Sequence, residues 1–184
     1  MKLAALTLSL LAAPLVAWAD GPRLDLPDFS RLAAKATQTV DINLDGDMLK
    51  TAGQFMGGAS GQQADVNAAL EGLKGVYVRV FTFDDTDRSL LSELDVVRRQ
   101  LQAPSWKKAI SMQQSVQHVD LFMHEDNGRP EDGGLAILIT QPNQLVIVNL
   151  VGKVDLEKLR QLQGKLGVPS MPGVVGVAPA PATK

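Results

Sequence analysis

The sequence predicts an α+β domain built on a mostly antiparallel sheet of about six strands, with helices packed on one face. Two aliphatic runs, residues 135–140 and 145–151, flank a short turn that contains Pro142 and Asn143. Continuous Leu, Ile and Val content of this kind is typical of central strands that are covered on both faces. In the second half of the chain four strand patterns follow one another without a helix between them, which favours antiparallel connections.

The first half of the chain alternates strand and helix patterns. Residues 39–44 alternate apolar and polar side chains as a half-buried strand does, and residues 48–56 then repeat apolar side chains at helical spacing. A Gly/Ser interruption at residues 57–61 precedes a second helical stripe over residues 64–73. Residues 76–83 predict the next strand, with three valines on one face and Tyr77, Arg79 and Phe81 on the other. A helix over residues 90–101 follows and ends before Pro104.

The second half predicts strands at residues 106–114 and 116–125, joined as a hairpin near residue 115. The Asn127-Gly128 pair marks a turn before the aliphatic hairpin of residues 135–151. A last helix is expected over residues 153–166, with Asp155 capping its start and Gly167 ending it.

The first nineteen residues have the order of a secretory signal peptide. Lys2 precedes an apolar run over residues 3–16, and Ala17-Trp18-Ala19 supplies the small residues of a cleavage site. The run is shorter than the roughly 20 residues that span a bilayer, so a retained membrane anchor is only the alternative. We expect cleavage after Ala19, export to the periplasm or else to the cell exterior, and no transmembrane span in the cleaved chain.

Beyond the leader we expect three regions. Residues 20–35, which contain Pro22 and Pro27, form a polar connecting segment, and residues 36–167 form a single α+β domain. Residues 168–184 are rich in Pro, Gly, Val and Ala with almost no charge, which predicts a disordered tail.

Composition excludes several classes of protein. The 184 residues are 45% hydrophobic and 21% charged, which is ordinary for a globular domain. The absence of cysteine excludes disulfides, cysteine-based metal centres and thiol catalysis. A formal charge of -2 argues against nucleic acid as a partner, because a nucleic-acid binder needs a clustered basic surface.

Two acidic segments are candidate metal sites. Residues 41–46 match the opening of an EF-hand loop, but its twelfth position is Ala52, which has no ligating oxygen, so we interpret them as the end of a strand and the start of a helix. Asp84, Asp85 and Asp87 lie where a strand leads into a helix, and capping of the helix is the simpler explanation. We therefore expect no bound metal and no cofactor.

A further set of polar side chains lies on the fourth strand, where alternation puts His118, Asp120, Phe122 and His124 on one face. The two histidines are six residues apart, about 20 Å along a strand, so they cannot ligate one ion. Only His118 with Asp120 could serve a metal or acid–base role, and a solvent-exposed sheet face is the simpler interpretation. Together with the aromatic face of the second strand, these residues form a candidate interaction surface: Tyr77, Phe81, His118, Asp120 and Phe122.

Several segments together resemble a bacterial family of small exported proteins that is catalogued as a domain of unknown function. They are residues 78–83, residues 119–122, the Gly133-Gly134-Leu135 opening of a strand, and residues 145–156. The resemblance covers roughly residues 28–166. It implies an envelope or exported location and no known activity. Many members of that family look like lipoproteins, and this chain departs from them because it lacks the cysteine that would carry a lipid.

No nucleophile elbow or phosphate-binding loop is present in the sequence. We therefore expect a non-catalytic exported module that binds an envelope protein or another envelope component. One alternative is a metal-assisted hydrolase that uses His118 and Asp120 with the acidic turn residues. The other is an accessory or sensor part of an envelope regulatory system.

Overall fold

A six-stranded sheet forms the centre of the protein. The computed structural model describes residues 21–56, 70–84 and 92–157. Every neighbouring pair in the sheet is antiparallel, and the spatial order is β1-β2-β6-β5-β4-β3. The strands are β1 Gln38–Asp45, β2 Leu73–Thr82, β3 Trp106–Gln114, β4 Gln117–His124, β5 Gly134–Gln141 and β6 Gln144–Gly152. The predicted antiparallel sheet of six strands is confirmed.

The two hairpins of the second half are also confirmed. Strands β3 and β4 pair from Gln114 opposite Gln117 onward, and Ser115 takes a positive φ of 52° in the turn between them. Strands β5 and β6 pair from Gln141 opposite Gln144, so only two residues form their turn. These aliphatic strands lie in the middle of the sheet, as their composition predicts.

Helices are few and short in the described residues. They are α1 Ser30–Ala33, α2 Gly46–Met56 and α3 Asp95–Gln100, with a 3₁₀ turn at Pro130–Asp132. The EF-hand-like residues therefore end β1 and begin α2, which confirms the strand-to-helix interpretation. At the other end of the chain, the Glu157 amide donates to Asp155 Oδ1 at 3.0 Å, so Asp155 caps the start of the last helix as expected.

Apolar side chains pack on both faces of the sheet. One cluster joins Phe81, Phe122 and Ile147 to Leu32 of α1 and Val97 of α3. A second cluster forms on the opposite face from side chains of the five strands β2 to β6, among them Val119, Leu121, Ile137 and Val146. The described domain is therefore mainly β, with apolar side chains buried on both faces of the sheet. Its few helices are not clearly packed on one face, in contrast to the expected single layer.

The connecting segment is part of the fold. Asn149, fully buried on β6, accepts from the Leu24 amide at 2.9 Å and donates to the carbonyls of Pro22 at 2.9 Å and Leu135 at 3.3 Å. Further along, Gln100 of α3 pairs with the backbone of Asp25, accepting from its amide at 2.8 Å and donating to its carbonyl at 2.7 Å. Side-chain amides thus supply the hydrogen bonds that a neighbouring strand would otherwise supply.

A glycine permits this close approach. A Cβ at Gly134 would lie 2.7 Å from Pro22 Cβ, closer than real Cβ contacts allow, and 3.0 Å from the Leu150 carbonyl oxygen, which is also tight. Because Gly134 has no side chain, the connecting segment has room to cross β5 at this residue.

Several predictions fall outside the described residues. They concern the leader at residues 1–19, the link at residues 57–61, most of the second helical stripe, Asp85 and Asp87, most of the last helix, and the tail at residues 168–184. Leu73, which we predicted to end a helix, instead begins β2. Within the part of the chain that is described, no helix is long and apolar enough to cross a membrane.

Candidate functional site

A group of polar side chains lies where the edge strand β3 pairs with β4. Strand alternation puts His118, Asp120 and Phe122 on one face, as predicted, and Ser111 of β3 is directly opposite Asp120. The register shifts between Lys108 and Ile110. This bulge allows Lys108 and Ser111, three residues apart, to lie on the same face, because one extra residue reverses the alternation.

Asp120 is the centre of this group. Its Oδ1 accepts from Ser111 Oγ at 2.6 Å and lies 3.1 Å from Lys108 Nζ. Its Oδ2 lies 3.0 Å from His118 Nε2. The Asp120 side chain is only 9% exposed, whereas those of Lys108 and His118 are 47% and 39% exposed. One buried carboxylate thus holds three partly or fully accessible side chains in fixed positions.

The charge of Asp120 is stabilised by these partners. Burial alone would raise the pKa of the carboxyl group, because removal from water disfavours the charged form. The Ser111 hydroxyl and the Lys108 ammonium, with His118 close by, outweigh burial and lower the pKa of Asp120 below its ordinary value of 3.8. Asp120 is therefore a carboxylate at neutral pH, and Lys108 and Ser111 point their donors toward it.

We name the accessible group Lys108, Ser111, Gln113 and His118, together with Asp120 beneath it, the Asp120 surface. Gln113 belongs to it because it is exposed and lies directly opposite His118. Lys108 is fixed further by Phe122, whose ring centroid lies 5.1 Å from Nζ, within cation–π range. This surface presents the Lys108 ammonium and the polar side chains of Ser111, Gln113 and His118 to solvent at a sheet edge.

The arrangement does not form a nucleophile and base. Ser111 Oγ and His118 Nε2 both contact Asp120 rather than each other. Nucleophilic catalysis needs the hydroxyl within hydrogen-bond reach of the base. Ser111 and His118 are therefore both arranged around the Asp120 carboxylate.

The acidic turn after β2 does not reach this surface. Asp84 follows β2, and strands β6 and β5 lie between β2 and β4. Three strand spacings amount to about 14 Å, too far for Asp84 and the His118–Asp120 pair to share an ion. In the described residues no three His, Asp or Glu side chains come together as a group that could hold a metal.

The expected open aromatic face is not present. Tyr77, Phe81 and Phe122 are 7%, 2% and 8% exposed. Phe81 packs edge-on against Phe29 at 5.5 Å, and Phe122 belongs to the cluster that Leu24 and helices α1 and α3 complete. The exposure that we expected of these rings is wrong because Arg23 lies over the Tyr77 ring and the other two rings belong to the buried cluster that contains Leu24 and Phe29. His118 is the one accessible member of the predicted set of five.

His124, on the same strand face, is buried and stands apart from the polar group. It is 8% exposed and packs edge-on against Trp106, with 5.0 Å between ring centroids. Neither ring nitrogen has a hydrogen-bond partner among the described residues. His124 therefore takes the place of an aromatic core residue.

A small cleft of about 260 Å³ lies beside β1 and β2, on the same face of the sheet. Phe29, Thr39 and Phe81 contribute to its lining, together with Asp41 and Arg79. Arg79 forms an ion pair with Asp41 and donates to the carbonyls of Ile42 at 3.3 Å and Val78 at 3.2 Å. The guanidinium of Arg79 thus fastens the edge strand β1 to its neighbour.

The sequence identifies the family to which this architecture belongs. Residues 33–162 match the model of the family described as Domain of unknown function (DUF4252). The chain belongs to this family. The DUF4252 match spans all six strands and confirms the resemblance based on the strand patterns, and the family carries no assigned activity. No curated protein and no solved structure matches the chain significantly.

The DUF4252 match begins inside α1 and leaves out Pro22 and Leu24 of the connecting segment. Sequence reasoning missed the residue that holds this segment, Asn149, although one signal was available. Asn149 is the lone polar residue in the run 145–151, and a buried amide in a central strand must find hydrogen-bond partners. For Ser111 and Lys108 no comparable signal exists, because the bulge brings them to one face.

Proposed function

We propose that the chain is an exported, non-catalytic module that binds an envelope protein or another envelope component through the Asp120 surface. The single observation that supports this function is the buried Asp120 carboxylate, which contacts Lys108, Ser111 and His118 at 2.6–3.1 Å. Side chains fixed in this way lose little conformational entropy on binding, which favours recognition.

The accessible groups define the chemistry of the partner. Lys108 offers an ammonium group, and Ser111, Gln113 and His118 offer further polar groups around it. A partner with carboxylate, phosphate or carbonyl oxygens complements such a surface, because charged donors form the stronger hydrogen bonds with these acceptors. The Ser111 hydroxyl is bound by Asp120 and not by His118, which favours binding over nucleophilic catalysis.

Export is supported by the order of charge, apolar run and small residues in positions 1–19. Cleavage after Ala19 leaves the connecting segment intact, since its first hydrogen bond to Asn149 is made by Pro22. The periplasm is the proposed location. The hydrolase alternative and the sensor alternative have no further support in the described residues.

Photo-crosslinking at neighbouring positions of β3 tests this proposal. A photoreactive amino acid at position 113 lies beside His118, whereas the same group at position 114 lies on the opposite face of the strand. Both side chains are exposed, so neither substitution disturbs the core. In cells that produce the full chain, we expect a discrete crosslinked product from position 113 and little from position 114. Equal yields from both positions, or no product from position 113, would contradict the proposal.

A further inference from the structure

The sheet has two edges, and they differ in how they are protected. The β3 edge carries Lys107 and Lys108 and the bulge between Lys108 and Ile110. Lysines and bulges are features by which natural proteins prevent a sheet edge from pairing with another chain. The β1 edge has none of these: its eight residues pair with β2 in unbroken register and include no Lys and no Pro.

The side chains of β1 alternate regularly between the two faces. Val40, Ile42 and Leu44 are half-buried on one face, and the residues between them are exposed on the other. Asp41 is 60% exposed even though it pairs with Arg79, and Asp45 is 54% exposed. The edge thus leaves a partly exposed apolar row beside a polar row, and an added strand would have to match both.

We propose that β1 pairs antiparallel with β1 of a second copy of this chain, centred on Ile42. In a symmetric antiparallel pair, opposite side chains lie on the same face, so a twofold axis must pass between two copies of one residue. Centring on Asp41 puts two aspartates opposite each other, and centring on Asn43 puts Asp41 opposite Asp45 twice. Like charges directly opposite are destabilising.

Centring on Ile42 avoids every such conflict. Ile42 then faces its own copy, and Val40 faces Leu44 of the second copy on each side of the axis. On the other face Asp41 lies opposite Asn43, whose amide can donate to the carboxylate. The two sheets join into one continuous sheet of twelve strands. This edge is the opposite one from the Asp120 surface, so the two proposals hold or fail separately.

Substitutions at Asn43 test the pairing by charge. Asn43 is exposed in the single copy, so its replacement leaves the fold intact. Asn43→Asp places a carboxylate opposite Asp41 at two symmetric positions, and Asn43→Lys places an ammonium group there. By sedimentation equilibrium of the protein purified from cells that express the full chain, we expect the dimer to be about tenfold weaker for Asn43→Asp and stronger for Asn43→Lys. Equal dimerisation of both variants, or a wild-type chain that stays monomeric at the highest concentration, would overturn the proposal.

Single cysteines test the register, because the chain has no cysteine of its own. Cysteines that replace Ile42 face each other within reach of a disulfide, and we expect a covalent dimer on mild oxidation. Cysteines that replace Asn43 lie two residues out of register, about 8 Å apart at the Cα atoms, beyond the reach of a disulfide. If the Asn43→Cys variant crosslinks as fast as Ile42→Cys, the register centred on Ile42 is wrong.

Discussion

Replacement of Asn149 by alanine tests how the connecting segment is held on the sheet. The substitution removes the acceptor of the Leu24 amide and the donor to the Pro22 and Leu135 carbonyls. A buried donor left without a partner costs about 1–3 kcal/mol, and the lost side-chain volume adds about 1 kcal/mol. We expect the free energy of unfolding to fall by about 3 kcal/mol, because the buried site gives water no ready access to the amide.

Two measurements separate a local effect from a global one. Equilibrium unfolding in urea gives the change in total stability, and amide hydrogen exchange reports on individual positions. We expect the Leu24 amide to lose its protection in Asn149→Ala even where the Ile147 amide in the sheet keeps its own. That pattern would show the connecting segment detaching while the strands remain paired.

The control is Asn143→Ala in the exposed turn between β5 and β6, which should change the stability by less than 0.5 kcal/mol, about the usual limit for surface changes. A loss of less than 1 kcal/mol in Asn149→Ala, with the Leu24 amide still protected, would contradict this prediction. In that case apolar contacts alone would hold the connecting segment.

Three further substitutions probe the face of the sheet that carries Asp120 and His124. Asp120→Asn should lower the free energy of unfolding by about 1.5–3 kcal/mol at pH 7. Because the pKa of Asp120 in the folded protein lies below 3.8, the difference between wild type and variant should shrink as the pH falls below that value. A difference that stays constant in urea titrations from pH 2 to 7 would contradict this. His124→Phe should raise the free energy of unfolding by about 1–2 kcal/mol, since it removes two unpartnered ring nitrogens and keeps the edge-on contact with Trp106, and a drop in melting temperature would speak against this. Gly134→Ala should cost about 1–3 kcal/mol and expose the Leu24 amide to exchange, because the new Cβ meets Pro22 at 2.7 Å; unchanged exchange would show that the segment yields without cost.

Local patterns in the sequence were sufficient for the strands. The predicted strand at residues 106–114 has the same bounds as β3, and alternation placed Tyr77 and Phe81 correctly on one face of β2. These features depend on neighbouring residues alone. The order of strands depends on distant pairing, and nothing in the local pattern shows that β2 lies beside β6.

The burial of the aromatic face could not be read from local patterns. The connecting segment is polar in sequence and has no strand or helix period, yet Leu24 and Phe29 join the buried cluster that contains Phe81 and Phe122. Its path is set by Asn149, more than a hundred residues away along the chain. The candidate site was predicted in part for a related reason: alternation paired His118 with Asp120, whereas the bulge that brings Lys108 to the same carboxylate leaves no mark in the sequence.

The affinity of the crosslinked partner for two matched variants tests the proposed function most directly. Once the molecule captured from position 113 is purified, its binding to Lys108→Gln and to Gln114→Ala can be compared with wild type by calorimetry. Lys108 is central to the Asp120 surface, and Gln114 lies on the other face of the same strand. We predict at least about a tenfold loss of affinity for Lys108→Gln, as expected for a charged hydrogen bond, and no change for Gln114→Ala. Equal affinity for all three proteins would contradict binding through the Asp120 surface.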